Sequence, residues 1–262
     1  MTTIRIGMLT PSSNTVLEPV TARIVAGLSN VSVHFSRFRV TAIGLDAAAL
    51  SQFDERPMLA AAELLADAKV HVISWNGTSA GWLGLDSDRR LCERVRSVTG
   101  IVTSTSVLTL FELLSQRGEN RIGLVTPYTD DVQGAILRGF AREGVEVIAE
   151  RHLGLRDNFS FSEVSPATLT AMVAEIAAAR PDAIAVFCTN LAAAPLVDAL
   201  EAHHGLPIHD SVATAVFGAL QAAGGPVGDV KGFGRMFDSR RRGSPEARNA
   251  ADQMKRRWET KS

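Results

Sequence analysis

Short apolar runs alternate along the chain with stretches of helical periodicity, the pattern of strands buried on both faces of a parallel sheet and covered by helices. This predicts an α/β protein. Sliding the sequence against itself reveals a repeat. Ile4 to Pro11 returns as Arg121 to Pro127, with Gly7 over Gly123 and Pro11 over Pro127. Val70 to Trp75, running into Asn76-Gly77-Thr78-Ser79, is matched by Ala183 to Phe187, running into Cys188-Thr189-Asn190, so that Gly77 overlies Cys188. Gly100 to Ser106 matches Gly205 to Ser211, and each leads into an apolar helix ending near Gly118 or Gly224. The shifts between matched positions are 116, 111 and 105, so small deletions suffice to relate the halves.

The repeat sets the expected organisation: an N-terminal α/β half over 1–118 with a return segment at 212–239, a C-terminal half over 119–211, and a basic tail over 240–262. The tail carries eight Lys or Arg against three Asp or Glu, a balance of +5 that leaves −6 for the rest of the chain. It reads as a solvated extension, because no aromatic interleaving or folded basic face accompanies it, and nucleic acid is not expected as a partner.

Composition narrows the class. With 262 residues, 46% hydrophobic and 21% charged, the chain can bury a sizeable core. Cys92 and Cys188 lie 96 positions apart and form neither a disulfide framework nor a zinc spacing, which points to a reducing, cytoplasmic setting. The start has no secretory pattern and no stretch reaches the length of a membrane span.

Ligands of open parallel sheets bind beyond the carboxyl ends of the strands. Four loops fall there: Pro11 to Thr15, Gly77 to Ser79, Pro127 to Asp131, and Cys188 to Asn190. In a pseudo-symmetric pair they face one another across a shared cleft, with Gly77 and Cys188 on opposite walls. Cys188 precedes the helical pattern Leu191 to Leu200, which predicts a thiol at a helix N-terminus where the dipole favours a thiolate, while its unperturbed form can donate a proton. Cys92 lies in a helical run and reads as packing. Tyr128, the only tyrosine, stands in a strand-end loop rather than an aromatic core position. Thr78, Ser79 and Tyr128 offer donors for a carboxylate or an enediolate, with helix capping as the alternative use of Thr78 and Ser79. Asn14 and Asn190 add two amides, which turn chemistry would equally explain. His203-His204 reads as a C-capping pair. No dinucleotide fingerprint, Walker motif, zincin motif or nucleophile elbow is present, so no cofactor and no metal are expected.

Over residues 4 to about 239 these features resemble the aspartate/glutamate/hydantoin racemase superfamily, in the branch holding arylmalonate decarboxylases and maleate cis-trans isomerases. The resemblance implies two Rossmann-like or flavodoxin-like halves, with the active site in the cleft between them and a cysteine from each wall. Gly77-Thr78-Ser79, Thr126 to Asp131, Cys188 and Gly232 to Asp238 look like the decarboxylase pattern, in which glycine replaces the first cysteine. Pro11 to Thr15 and Arg156 to Phe159, with Asn14 and Asn158, resemble the carboxylate-holding loops of maleate isomerases. Phe187 to Leu191 differs from the Cys-Gly-Gly of the arylmalonate enzymes, and the mixture is most similar to decarboxylase-like proteins of ectoine-utilisation operons. The resemblance implies a small carboxylate substrate. Expected catalytic residues are Cys188, Tyr128, Thr78 and Ser79; expected binding residues are Pro11, Asn14, Gly77, Asn158, Thr189 and Asn190.

With one thiol the simplest expected reaction is decarboxylation, the enediolate being protonated from one face by Cys188. An isomerase or racemase using Cys188 with another partner is the alternative, and a non-catalytic carboxylate-binding protein is a third. Assembly into a homo-oligomer is left open.

Overall fold

The computed structural model describes residues 3–238, so the basic tail expected over 240–262 lies outside the described residues. In the first half, β1 (Ile4–Pro11), α1 (Leu17–Val25), β2 (Val31–Phe38), α2 (Ala47–Ser51), α3 (Glu55–Asp67), β3 (Val72–Trp75), α4 (Ala80–Leu83), α5 (Leu85–Thr99), β4 (Val102–Thr105) and α6 (Ser106–Arg117) follow one another. In the second, β5 (Arg121–Thr126), α7 (Asp130–Arg142), β6 (Glu146–His152), α8 (Pro166–Ala177), β7 (Ala183–Val186), α9 (Val197–His204), β8 (Ile208–Asp210) and α10 (Ser211–Ala222) complete the strands and α-helices of the described residues.

The strands form two four-stranded parallel sheets, ordered β2-β1-β3-β4 and β6-β5-β7-β8. Each half therefore has the same strand order, and the sequence repeat is preserved in the register itself. Leu9 pairs with Trp75 and Trp75 with Thr105. Their repeat mates, shifted by 116, 111 and 105, are Val125, Val186 and Asp210, and these pair in the same way. Duplicated spacing has become duplicated hydrogen bonding.

The repeated glycines have a packing reason. A Cβ on Gly7 would press on Leu65 and Val70, and one on Gly123 would collide with Ile176. Without a side chain at these positions, α3 and α8 can settle closely on the central strands. The caps repeat too: Thr105 accepts from the Leu108 N–H at the start of α6, and Asp210 accepts from Val212 and Ala213 at the start of α10.

The packing is less symmetric than the pairing. Helix α10 packs on β3, β4, α1 and α6 of the first half. Val212, Val216, Ala219 and Leu220 share one core cluster with Ile6, Met8, Val72, Phe233, Met236 and Phe237. Among the described residues, no helix is long and apolar enough to cross a membrane.

Candidate active site

Because all eight strands run parallel within their sheets, the loops after β1, β3, β5 and β7 leave from carboxyl ends, and they converge on one cavity. Its empty volume, open mouth included, is about 290 Å³, and its lining includes Pro11, Gly77, Thr78, Ser79, Tyr128, Asn158, Cys188 and Thr189. The remaining lining residues are Val40, Ile43, Phe53, Trp75 and Trp82, none of which the sequence singled out. The segment from Val40 to Phe53 bears no catalytic motif, and only its contact with the strand-end loops marks it.

Hydroxyls and sulfur form a connected set. The Thr78 hydroxyl lies 2.7 Å from the Tyr128 hydroxyl, and Tyr128 also reaches the Cys188 sulfur. All three residues are buried, Tyr128 and Cys188 with only 2% of their surfaces exposed. Burial pushes the Cys188 thiol up to about 11, against the opposing pull of the Asn190 N–H, the Tyr128 hydroxyl and the Leu191 N–H. Burial, together with the neighbouring sulfur, holds Tyr128 well above the ordinary phenol range. The pair is therefore neutral near pH 7, and Cys188 presents S–H rather than thiolate.

That corrects the expectation of a dipole-stabilised thiolate. No helix starts beside Cys188: a turn at Thr189 and Asn190 is followed by a short 3-10 segment, Ala194–Leu196, and α9 begins only at Val197. Pro195 stands in the first turn of that 3-10 segment, where its missing N–H is no loss. The Asn190 N–H points at the sulfur over 3.4 Å, but the donors around the thiol do not offset the loss of solvent.

Tyr128 also differs from its expected surroundings. Its ring stands edge-on to Trp82 and Phe161, with centroids 5.4 and 5.6 Å away, so it belongs to an aromatic cluster from which the hydroxyl projects. Ser79 begins α4 without a side-chain cap bond, and the Thr78 hydroxyl turns to Tyr128.

The asparagines fall into two groups. Asn158 lines the cavity and donates to the Ser13 hydroxyl at 2.8 Å. Asn14 and Asn190 do not line it. The Asn14 carbonyl oxygen accepts from the N–H groups of Val16 and Leu17, while its amide donates to the Thr189 hydroxyl. Asn190 accepts from Thr15 and Val16 and donates to the Asn158 carbonyl. Both amides fasten loops across the halves, and each commits one of its two N–H donors to a protein acceptor.

Gly77 and Cys188 line the same cavity, but the space beside Gly77 is taken. A Cβ on Gly77 would fall inside the Trp75 indole. Elsewhere, Cys92 sits in α5 with its thiol pushed up to about 12 by burial and nearby carboxylates. His203 and His204 end α9 ahead of Gly205, whose left-handed conformation closes the helix. Among the described residues no group of three or more His, Cys, Asp or Glu is placed to hold a metal ion.

An arylmalonate decarboxylase from Bordetella bronchiseptica is 27% identical over 89% of this chain and 96% of its own length. A maleate isomerase from Pseudomonas putida is 28% identical over 83% of this chain and 91% of its own. The crystal structure of another Pseudomonas putida maleate isomerase superposes with a TM-score of 0.81 at 25% identity, covering 90% of this chain and 99% of that one. Both named groups are enzymes. The profile of the family described as "Arylmalonate decarboxylase" matches residues 9–237, spanning both sheets and all four strand-end loops, and the chain belongs to that family.

Proposed function

We propose that the chain is a cofactor-independent lyase that removes CO2 from a small activated carboxylic acid. The observation that carries this reading is the linked set Thr78, Tyr128 and Cys188, with a single thiol held protonated at about 11 in the pocket. In the proposed step the bond between the α-carbon and the leaving carboxylate breaks. Its electron pair delocalises into the remaining carboxylate as an enediolate, and CO2 departs. Hydroxyls of Thr78, Ser79 and Tyr128 and adjoining N–H groups donate to the enediolate oxygens. Cys188 then gives its proton to the α-carbon, and the resulting thiolate is reprotonated from water.

A raised thiol pKa suits this acid role, because the proton is present at working pH. Maleate isomerisation is the second reading, supported by the maleate isomerases among the relatives. It fits less well, since Gly77 supplies no thiol on the first wall and Trp75 fills the place beside it. The resemblance to ectoine-utilisation proteins suggests a malonate-type or ectoine-derived acid as substrate. Screening such acids and maleate for CO2 release and for cis-trans conversion tests the choice. CO2 release that disappears in Cys188→Ala supports the lyase, whereas conversion without CO2 favours the isomerase. Unchanged binding without any turnover leaves a carboxylate-binding protein.

A further inference from the structure

Trp75 helps to wall the cavity that Cys188 also lines. It ends β3, is 1% exposed, and turns its indole back over the residue two places further on. Its six-membered ring, through Cζ2, Cε2 and Cη2, stands where a Cβ on Gly77 would be, so the indole occupies the volume that a side chain at position 77 would fill, with Nε1 bonded to the Cε2 of that edge. Phe38 backs the indole, with ring centroids 5.2 Å apart. The Trp75 Nε1–H is buried and has no partner. Indole nitrogen can only donate, and a buried donor left unpaired is costly, so this group asks for an acceptor.

The lining contains no Lys, Arg or His. Two nearby arginines are committed elsewhere: Arg156 pairs with Asp46, and Arg37 pairs with Glu18 while donating to the carbonyls of Ser12 and Asn14. An anionic ligand in this pocket must be held by neutral donors. Hydroxyls and N–H groups of the strand-end loops supply some of them, and the orphaned indole supplies another.

We infer that Trp75 is a substrate-binding residue whose Nε1–H donates to a carboxylate or carbonyl oxygen on the side of the substrate facing away from Cys188. The inference rests on the carboxylate reading above and deepens it. It makes the preferred substrate an acid carrying a second oxygen acceptor, in preference to one with an alkyl group at that place. Trp82 also lines the pocket with an unpartnered Nε1, but it is held edge-on between Phe53 and Tyr128, and it serves as an internal comparison.

The test is a titration of uniformly ¹⁵N-labelled protein with malonate, maleate and isocrotonate, in which a methyl group replaces one carboxylate of maleate. Indole signals are assigned with Trp→Phe variants. At least one dicarboxylate is expected to shift the backbone amides of Thr78 and Cys188, and in the same titration to move the Trp75 Nε1–H downfield. Trp75→Phe, which keeps a ring against Phe38, should bind that dicarboxylate about tenfold more weakly and isocrotonate unchanged. Amide shifts with a stationary Trp75 signal, or binding by Trp75→Phe within twofold of wild type, would overturn the inference and leave the proposed function standing. If no dicarboxylate moves those amides, the carboxylate reading fails and this inference with it. Should Trp75→Phe not fold, the wild-type titration decides alone.

Discussion

The hydroxyls of Thr78 and Tyr128 stand 2.7 Å apart, one on the loop after β3 and the other on the loop after β5, so one hydrogen bond joins the two halves beside the Cys188 sulfur. Tyr128→Phe removes this bond and one donor to a developing oxyanion while keeping the ring between Trp82 and Phe161. We expect kcat to fall by roughly 10 to 10³-fold with little loss of thermal stability. A change confined to KM would show that the hydroxyl holds only the ground state.

Cys188→Ala should leave the fold intact and lower turnover by about 10²-fold or more, the usual scale for a positioned acid. Steady-state kinetics beside a thermal melt checks this. A variant keeping more than about a tenth of wild-type kcat would remove Cys188 from the proton transfer.

The pH profile follows from the same residue. With its thiol at about 11, Cys188 remains a proton donor across the neutral and mildly alkaline range, so the alkaline fall in kcat should centre near 11 where the protein survives, or be absent up to its unfolding limit. An alkaline limb at the ordinary thiol value of about 8.5, absent from Cys188→Ser, would mean that burial does not govern the group.

Gly77→Cys tests the opposite wall. The single variant must displace the Trp75 ring and should lose stability and activity together. Pairing it with Trp75→Leu makes room for the sulfur, and a second thiol facing Cys188 should introduce deuterium from D₂O at the product's α-carbon with loss of optical purity. An enantiomer that stays pure and undeuterated in the folded double variant would show that the two walls do not address one carbon.

A buried carboxyl makes stability depend on pH. Asp88 is buried in α5, where burial outweighs a Thr105 hydrogen bond and pushes its carboxyl from 3.8 to about 7. The folded state thus holds this proton more tightly than the unfolded state. Its stabilising contribution is complete below about 4 and is lost as pH rises through about 7. Asp88→Asn should therefore melt about 3 to 6 °C above wild type at pH 8, with the gap narrowing toward pH 5. Equal melting differences at both pH values would contradict a buried, proton-holding carboxyl.

Fold and site were legible to different depths. The paired Gly7 and Gly123, and the shifts between matched strands, were enough to anticipate two repeated α/β halves, because a repeated sequence repeats the strand-loop-helix pattern that it encodes. The strand-end loops were legible for the same reason. Asn14 and Asn190 were legible only as amides in turns, because the bonds that they make between the halves reach partners 175 positions away. Trp75 was hidden by its position in an apolar strand, since nothing in Ser74-Trp75-Asn76-Gly77 announces that the indole folds back over the glycine. Tyr128 gathers its aromatic neighbours from Trp82 and Phe161, 46 and 33 positions away, beyond any local pattern.

Helix α10 also shapes how this chain comes into being. The first sheet ends at Thr105, yet Ile6, Met8 and Val72 are covered by Val212, Val216, Ala219 and Leu220, more than a hundred residues later. During synthesis the N-terminal half must wait, with an apolar surface bare, until nearly the whole chain has emerged. Such a long-range closure slows folding and leaves a sticky intermediate in the interval. A protein that arose by repeating a unit has thus lost the independence of that unit: expressed as residues 1–118 it should aggregate, and supplying α10 on a separate fragment should bring it back into solution.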